Sequence, residues 1–475
     1  MKVPGSPGDA SSLQTKSRKL LRSGVLHNVI ALYGVQACTY ALPLLTFPYL
    51  ARVLGPSGWG VVVFAQAIGE VIASVVEYGF DISAARDTSR HRNEPKHLSA
   101  LISGVLGAKV LLAALCIAAA IFSRRFTHHV APSLALFWAS TIWGVCQGIN
   151  MLWYFQGLER MRLASMLEIS GKVLATLSIF VLVHKPSDGW KVMAAQGVGC
   201  VVAHGITVVL AYREVGFQWP TPASVWSSLR LGTSMFLFRA VQSICGSANR
   251  LILGSVAPVA ALGEYAGAER ITRVFQQGMW PVNQALYPRL TKQMQDSPGQ
   301  AMKTVKYSLL LLGGLGMIFG LAIYLGAPLL VHFVLGPRFG DSIPVLRVFS
   351  LWIPMIALTT VMIFQLLLPN QLDNQFNFVN YSAGGLGIVV ALLLVPRMAA
   401  VGIAWAAVAS QAYTLVAFSI VLWRAGLNPF SATASARLRA PSVSDLAVFS
   451  GMDHQEAPVE FERNEPQAGL VEEKR

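Results

Sequence analysis

The chain of 475 residues is 54% hydrophobic and only 13% charged, whereas soluble domains average about a quarter charged residues. Together with many apolar runs of about eighteen residues or more, this composition excludes an ordinary soluble domain and predicts a polytopic membrane protein. The net charge of +14 does not indicate a nucleic-acid partner, because the basic residues lie in short loops between apolar runs. The five cysteines lie in apolar segments without CxxC or Cys/His spacing, so neither a metal site nor a disulfide framework is predicted.

The chain begins with a polar, basic segment at residues 1–24, which we interpret as cytoplasmic. We predict membrane spans at residues 25–50, 58–84, 98–122, 131–155, 164–184, 191–212, 231–256, 261–287, 304–334, 344–369, 376–396 and 400–424. The first six spans form an N-lobe (25–212), a cytoplasmic linker follows (213–230), and the last six form a C-lobe (231–424). Residues 425–475 become polar and then acidic, which predicts a disordered cytoplasmic tail.

The orientation follows from the basic residues in the loops. The N-terminal segment is basic, and the next loop on the same side carries Arg86, Arg90, Arg92 and Lys96. The opposite side carries fewer basic residues in total. The positive-inside rule therefore predicts that both termini lie in the cytoplasm.

Two related stretches suggest that the halves of the chain share one plan. Residues 42–60 read LPLLTFPYLARVLGPSGWG, and residues 250–266 read RLILGSVAPVAALGEYA. In both, an apolar helix end runs into a turn of small residues and an aromatic residue follows a Leu-Gly pair. Internal repeats of this kind are common in transporters, where the pathway lies between the halves.

Three motifs carry a resemblance to a known family. They are FPYLARVLGPSGWG (47–60), LGEYAGAERI (262–271) and VLGPRFGDSIPVLRVFS (334–350). Residues 20–430 as a whole resemble the Wzx-type polysaccharide flippases of the multidrug/oligosaccharidyl-lipid/polysaccharide exporter superfamily. The resemblance implies about twelve helices in two six-helix lobes around a central polar cavity, in the bacterial inner membrane.

The resemblance also implies a function. Such proteins move undecaprenyl-pyrophosphate-linked oligosaccharides from the cytoplasmic to the periplasmic leaflet, for exopolysaccharide or O-antigen synthesis, by alternating access. The expected partners are the lipid-linked oligosaccharide and the lipid bilayer, with a polysaccharide polymerase and chain-length proteins as further candidates. No catalytic residue or cofactor is expected, and the sequence has no GxxxxGK[ST] nucleotide motif.

Four polar residues of the second span share one helix face, since Glu70, Ser74, Glu77 and Asp81 are offset by four, seven and eleven. Carboxylates that face lipid are costly, so this face should point into a bundle or a wet cavity. One interpretation is proton or sodium coupling, or contact with sugar hydroxyls. The other is ion pairing with Arg52, Arg86 or a basic residue of another helix.

The seventh and eighth spans carry polar stripes that indicate the walls of a hydrated cavity. Guanidinium groups suit a pyrophosphate because they stay protonated and donate paired hydrogen bonds, and amide side chains suit sugar hydroxyls. The alternative for Arg250 and Arg270 is pairing with Glu269 or placement at the interface. The candidate substrate-binding residues are Arg239, Gln242, Asn249, Arg250, Arg270, Arg273, Gln276, Trp280 and Asn283.

Other polar residues in spans have simpler interpretations. Glu168 and Lys172 are four residues apart and are predicted to pair within their helix. Lys109 has either a partner across helices or a place in a cavity. Trp153, like Trp280, could stack on a sugar face, but for Trp153 we favour an interfacial placement.

Two other classes of function stay open. The carboxylates at Glu70 and Glu77 keep a cation-coupled multidrug antiporter of the same superfamily in consideration. A membrane enzyme of polysaccharide assembly would need a large extramembrane loop, and the loops are short.

Overall fold

The computed structural model describes the backbone of residues 8–127 and 133–431. Within these ranges the side chains of residues 8–41, 43, 123–127, 234, 237–245, 275, 278–289, 291–292 and 294–295 lie outside the description. Every regular element in the described ranges is helical, which confirms the predicted all-α class. The acidic part of the predicted tail, from residue 432 onwards, also lies outside the described residues.

Twelve α-helices follow one another through the described chain. They are α1 (Gly8–Glu77), α2 (Phe80–Arg90), α3 (Pro95–Thr127), α4 (Leu134–Gly148), α5 (Leu152–Gly157), α6 (Met161–Leu182), α7 (Gly189–Val215), α8 (Pro222–Val256), α9 (Val259–Asp296), α10 (Pro298–Leu330), α11 (Ser342–Met362) and α12 (Asp373–Arg424). Short 3₁₀ turns occupy Pro186–Asp188 and Pro337–Phe339, and π-helical turns occupy Val331–Leu335 and Ile363–Leu367. By length and composition, seven stretches of the described residues can cross a membrane.

Two of these helices reverse direction without a loop. A straight helix of 70 residues would be about 105 Å long, more than three times the hydrocarbon thickness of a bilayer. In α1 the backbone turns at Gly55 (φ 67°, ψ 178°), and the rings of Phe47 and Trp59 meet across the turn with centroids 5.5 Å apart. In α12 it turns at Ala399 (φ 42°), which brings the Ser382 hydroxyl within 3.0 Å of the Tyr413 hydroxyl.

The arms of α1 and α12 correspond to four of the predicted spans, but the second span is shorter than predicted and the fourth is divided. The second span ends at Glu77, because Tyr78 (φ 50°) and Gly79 (φ 72°) break the helix before α2 begins. The fourth span is broken between α4 and α5, around Asn150. We call the side of the bundle that holds the Gly55 turn the Gly55 end and the opposite side the Gly79 end.

The first-half helices α1–α7 and the second-half helices α8–α12 share a core near the Gly55 end. That core joins α1, α4, α6 and α7 to α9–α12, and it includes Trp59, Val183, Leu262, Phe339 and Ile403. Near the Gly79 end there are separate cores instead. One is built on α2, α3, α5 and α7 with the start of α8 packed against it, and the other on α9–α12.

The two halves make their tightest backbone contact where the repeated stretches meet. A Cβ on Gly60 would lie 2.0 Å from the carbonyl oxygen of Val259, and one on Gly263 would lie 2.0 Å from that of Pro56. Only a residue without a side chain fits such a contact. Gly60 and Gly263 therefore form a seam, the glycine seam, which closes the Gly55 end between the halves.

Candidate functional site

A central cavity of about 410 Å³ lies between the two halves. The first half contributes two carboxylates and the second half two guanidinium groups, so the cavity walls carry opposite charges. Its lining residues are Glu70, Ala73, Ser74, Glu77, Gly79, Trp143, Gln147, Gly246, Ser247, Arg250 and Arg273. From Glu70 to Glu77, the predicted polar face of the second span therefore does point into a cavity.

Glu70 and Arg250 form an ion pair across this cavity. The Arg250 guanidinium donates to both carboxylate oxygens, at 3.2 and 3.1 Å, and the Ser247 hydroxyl donates to one of them at 3.0 Å. Of the partners considered for Glu70, a basic residue of another helix is the one found. Arg52 lies instead at the Gly55 end, where it donates to the backbone oxygen of Phe333.

Arg273 pairs with Glu269, one helical turn earlier, at 2.7 Å. Among the described side chains, Glu269 forms its ion pair with Arg273, and Arg250 forms its own with Glu70. The Arg273 side chain is 46% exposed. It is thus a cation that a ligand in the cavity can reach.

Arg270 is turned away from the central cavity. Its guanidinium lies over the rings of Phe47 and Trp59, 5.4 and 5.2 Å from their centroids. It lines a second cavity of about 280 Å³, the first-half cavity, which lies mainly among α1, α4, α6 and α7. Cation–π contact therefore holds this arginine of the second half against the first half.

Glu77 belongs to a buried polar network. Asn150 donates to the Glu77 carboxylate at 3.1 Å, and the fully buried Lys109 ammonium donates to the Asn150 carbonyl oxygen at 2.9 Å. The break between α4 and α5 exposes this carbonyl oxygen, which a continuous helix would use for itself. Of the two readings left open for Lys109, a partner across helices is the one found.

Asp81 does not share a helix face with the other three polar residues predicted for the second span, Glu70, Ser74 and Glu77. The break at Tyr78 and Gly79 places it on α2, so the helical offset from Glu70 no longer applies. Asp81 and Glu77 line a third cavity of about 280 Å³, but Asp81 is absent from the lining of the central one.

The first-half cavity and the central cavity meet at Trp143 and Gln147, which line both. Neither residue was predicted, although each is a polar or amphipathic side chain within an apolar span. Glu168 and Lys172 form the predicted intrahelical pair at 2.7 Å, and both line the first-half cavity.

Trp153 is a further correction. It is 1% exposed and packs in the core of the Gly79 end, so its predicted interfacial placement is wrong. The short α5 begins at Leu152, and the turn before it directs the indole inward instead of towards the membrane surface.

The remaining candidates divide into two groups. Asn249 hydrogen-bonds with the buried Tyr265, and Gln276 is exposed; neither lines the three cavities. The side chains of the other four lie outside the described residues: Arg239, Gln242, Trp280 and Asn283.

An all-helical chain with membrane-spanning helices around a cavity of opposed charges is typical of membrane transport proteins. Residues 25–294, more than half of the chain, match the family described as polysaccharide biosynthesis protein. The chain therefore belongs to this family. The match confirms the family assignment that the three sequence motifs predicted.

Two curated relatives are similar over nearly their whole lengths. A protein of Escherichia coli (strain K12) named "Putative O-antigen transporter" is 26% identical over 388 residues, 81% of this chain and 93% of the relative. A Shigella dysenteriae protein of the same name is 24% identical over 409 residues, 84% of this chain and 99% of the relative.

The fold is similar to a solved structure described as lipid II flippase MurJ in an inward closed conformation. The TM-score is 0.61 with 11% sequence identity, and the match covers 91% of this chain and 94% of the other. At this identity the likeness shows the fold. It confirms the architecture of helical bundles.

Proposed function

We propose that this protein is a flippase that moves undecaprenyl-pyrophosphate-linked oligosaccharide repeat units across the bacterial inner membrane, for O-antigen or exopolysaccharide synthesis. The observation that carries the proposal is the central cavity, in which Arg250 and Arg273 face the space between the halves. The names of the E. coli and Shigella relatives, which this chain matches along nearly their full lengths, support the same activity.

The arginines suit the pyrophosphate because a guanidinium gives two directed hydrogen bonds to phosphate oxygens and keeps its charge. In the structure each arginine has a carboxylate partner, Glu70 for Arg250 and Glu269 for Arg273. A pyrophosphate that enters the cavity competes with these carboxylates. The released Glu70 is then free to take up a proton or a cation, which would couple binding to an ion gradient.

The glycan and the lipid tail have separate places in this scheme. Gln147 and Trp143 lie where the central and first-half cavities meet, and an amide beside an indole suits a sugar ring with its hydroxyls. The prenyl tail stays in the bilayer between the halves. Rocking of the halves then parts the glycine seam and exposes the cavity at the Gly55 end.

The cation-coupled multidrug antiporter remains the second candidate, and its support is the carboxylates Glu70 and Glu77 in the cavity wall. The two arginines argue against it, because a cationic drug would meet like charges there. The family and the named relatives indicate a transporter and not an enzyme of polysaccharide assembly.

We further propose that the Gly79 end faces the cytoplasm, as the basic loop residues predicted, with both termini on that side. The lobe boundaries 25–212 and 231–424 and the linker 213–230 stay predictions. A polymerase and chain-length proteins stay candidate partners.

The test is a flipping assay in vesicles with purified lipid-linked oligosaccharide. Arg250→Ala and Arg273→Ala should each abolish most of the translocation, and the Lys variants should restore part of it because charge returns without the planar hydrogen bonds. Arg347→Ala is the matched control, since Arg347 lies on α11 against Tyr324 and lines none of the three cavities.

Each outcome decides between the candidates. Full translocation by both Ala variants that insert and purify normally would contradict the arginine assignment. Translocation of a cationic dye, with no translocation of the lipid-linked oligosaccharide by the wild type, would support the antiporter instead.

A further inference from the structure

Three side chains with metal-ligating atoms meet at the Gly79 end, away from the cavities. Asp87 lies in the last turns of α2, His91 caps that helix, and His97 lies in the first turn of α3. His91 Nδ1 is 3.1 Å from Asp87 Oδ1, and His97 Nε2 is 3.1 Å from Asp87 Oδ2. The two imidazole rings are tilted against each other, with centroids 4.0 Å apart and planes 32° apart.

These distances resemble those between the ligands of a tetrahedral metal ion. Zinc bonds of about 2.0–2.1 Å in tetrahedral geometry place neighbouring ligand atoms roughly 3.3 Å apart. The ligand atoms of the three residues all lie within 4.8 Å of one another. Small side-chain rotations would bring all three onto one ion.

We propose that Asp87, His91 and His97 form a binding site for a divalent transition metal of the zinc type, with a fourth position left to water. A neutral imidazole has one protonated ring nitrogen and one nitrogen with a lone pair. A metal ion takes the lone pair of the facing nitrogen of His91 and of His97 when the proton there passes, through solvent, to the other nitrogen of the same ring. The same three side chains thus satisfy one another with or without the ion.

The surroundings select the class of ion. Arg86, Arg90 and Lys96 are close in sequence and disfavour hard cations such as Ca²⁺ and Mg²⁺, which rely on charge and on oxygen ligands. Imidazole nitrogens instead favour zinc, cobalt, nickel and copper. The side chains are 22–40% exposed, so an ion from solution can reach them.

The place of the site in the fold gives it a structural consequence. α2 follows the broken helix end that carries Glu77, and α3 carries Lys109, so both helices belong to the wall of the polar network. An ion held by residues of α2 and α3 would join these helices at the turn between them. The proposal does not depend on the flippase activity.

The experiment uses the full-length protein, purified with a tag free of histidine and stripped of metal with a chelator. The parent protein carries His128→Ala and His129→Ala, which removes an adjacent histidine pair as a source of background binding. Zn²⁺ is titrated by calorimetry, and Co²⁺ by its visible absorption, which reports tetrahedral coordination. The expected result is one ion per chain in both titrations.

Variants of the cluster decide the assignment. Asp87→Ala and His97→Ala should each weaken Zn²⁺ binding at least about ten-fold. His97→Cys should keep Zn²⁺ binding, because a thiolate is a zinc ligand. His332→Ala is the matched control, since His332 is exposed and lies outside the cluster, and its affinity should equal that of the parent.

Two results would overturn the proposal. One is a parent protein that binds neither Zn²⁺ nor Co²⁺ at one ion per chain. The three side chains would then only hydrogen-bond with one another. The other is unchanged Zn²⁺ affinity in both Asp87→Ala and His97→Ala. Because His97→Cys restores a metal ligand but not the hydrogen bond of the imidazole, its binding separates ligation from a folding effect.

Discussion

Replacement of Glu70 by glutamine should tighten the binding of a prenyl pyrophosphate. Arg250 contacts both oxygens of Glu70 at 3.1–3.2 Å, so a pyrophosphate must displace this carboxylate to reach the guanidinium. Two unit charges about 4 Å apart attract by roughly 4 kcal/mol at an effective dielectric constant of about 20. The side chains are 14% and 31% exposed, so solvation recovers part of this when the pair separates.

Glu70 therefore weakens the binding of the pyrophosphate by a net free energy of the order of 1–2 kcal/mol. A difference of about 1.4 kcal/mol corresponds to a ten-fold change in affinity. We expect Glu70→Gln to bind farnesyl pyrophosphate about ten-fold more tightly than the wild type. Arg250→Ala should bind it about ten- to a hundred-fold more weakly, because a charge-assisted hydrogen bond contributes about 1.5–3 kcal/mol.

The assay is calorimetric titration of the purified protein with farnesyl pyrophosphate at fixed pH and salt. Without Arg250 the Glu70 carboxylate still repels the anion but no longer competes for a guanidinium, so Glu70→Gln should gain less affinity in the Arg250→Ala protein than in the wild type. Glu168→Gln is the control, because Glu168 pairs with Lys172 in the first-half cavity. Competition between Glu70 and the pyrophosphate for Arg250 is refuted if Glu70→Gln weakens binding, or if its gain is as large without Arg250.

Three further predictions concern the fold. Gly263→Ala should force the glycine seam apart and raise the accessibility of cysteine probes at the Gly55 end, whereas Gly314→Ala, which meets open space, should not; equal accessibility in both would contradict the seam. Lys109→Met should lower stability by about 1–3 kcal/mol, seen as a lower Tm in detergent, because the buried carbonyl oxygen that it bonds loses its donor. Trp153→Ala should lower the free energy of unfolding by about 3–5 kcal/mol, whereas Trp423→Ala should lower it little, because Trp423 is 69% exposed. Equal Tm values of the two variants would support the interfacial placement of Trp153 instead.

Hydropathy predicts the helices well because each span must bury its own backbone hydrogen bonds in lipid. The same reasoning finds Glu70 and Arg250, since a charge in an apolar helix needs a partner or water. The sequence could not show that these two belong together. They are 180 residues apart in the chain, and only the packing of α1 against α8 brings them into contact.

The turns at Gly55 and Ala399 fall in the gaps between predicted spans, next to Pro56 and three residues after Pro396. The break at the end of the second span was harder to predict. The break at Tyr78 was hidden because tyrosine rarely adopts a left-handed backbone. For the same reason Asp81 was placed on the wrong helix.

The cluster of Asp87, His91 and His97 could not be predicted from the sequence, because it has neither a CxxC nor a Cys/His spacing typical of metal sites. Its ligands come from two helices and the turn between them, and they meet only when α2 folds back on α3. The spacing of residues along the sequence does not reveal such a contact.

The charges of the central cavity have a consequence for the electrical behaviour of transport. Its described lining carries two glutamates and two arginines, so these groups give the cavity no net charge. In the proposed flippase, the membrane potential would then do little work on the return step, in which no substrate is carried. A bound pyrophosphate adds negative charge, and each charge that crosses the full potential contributes about 2.3 kcal/mol per 100 mV. With the cytoplasm negative and the Gly79 end facing it, the potential would drive the loaded step outward and leave the return step independent of voltage.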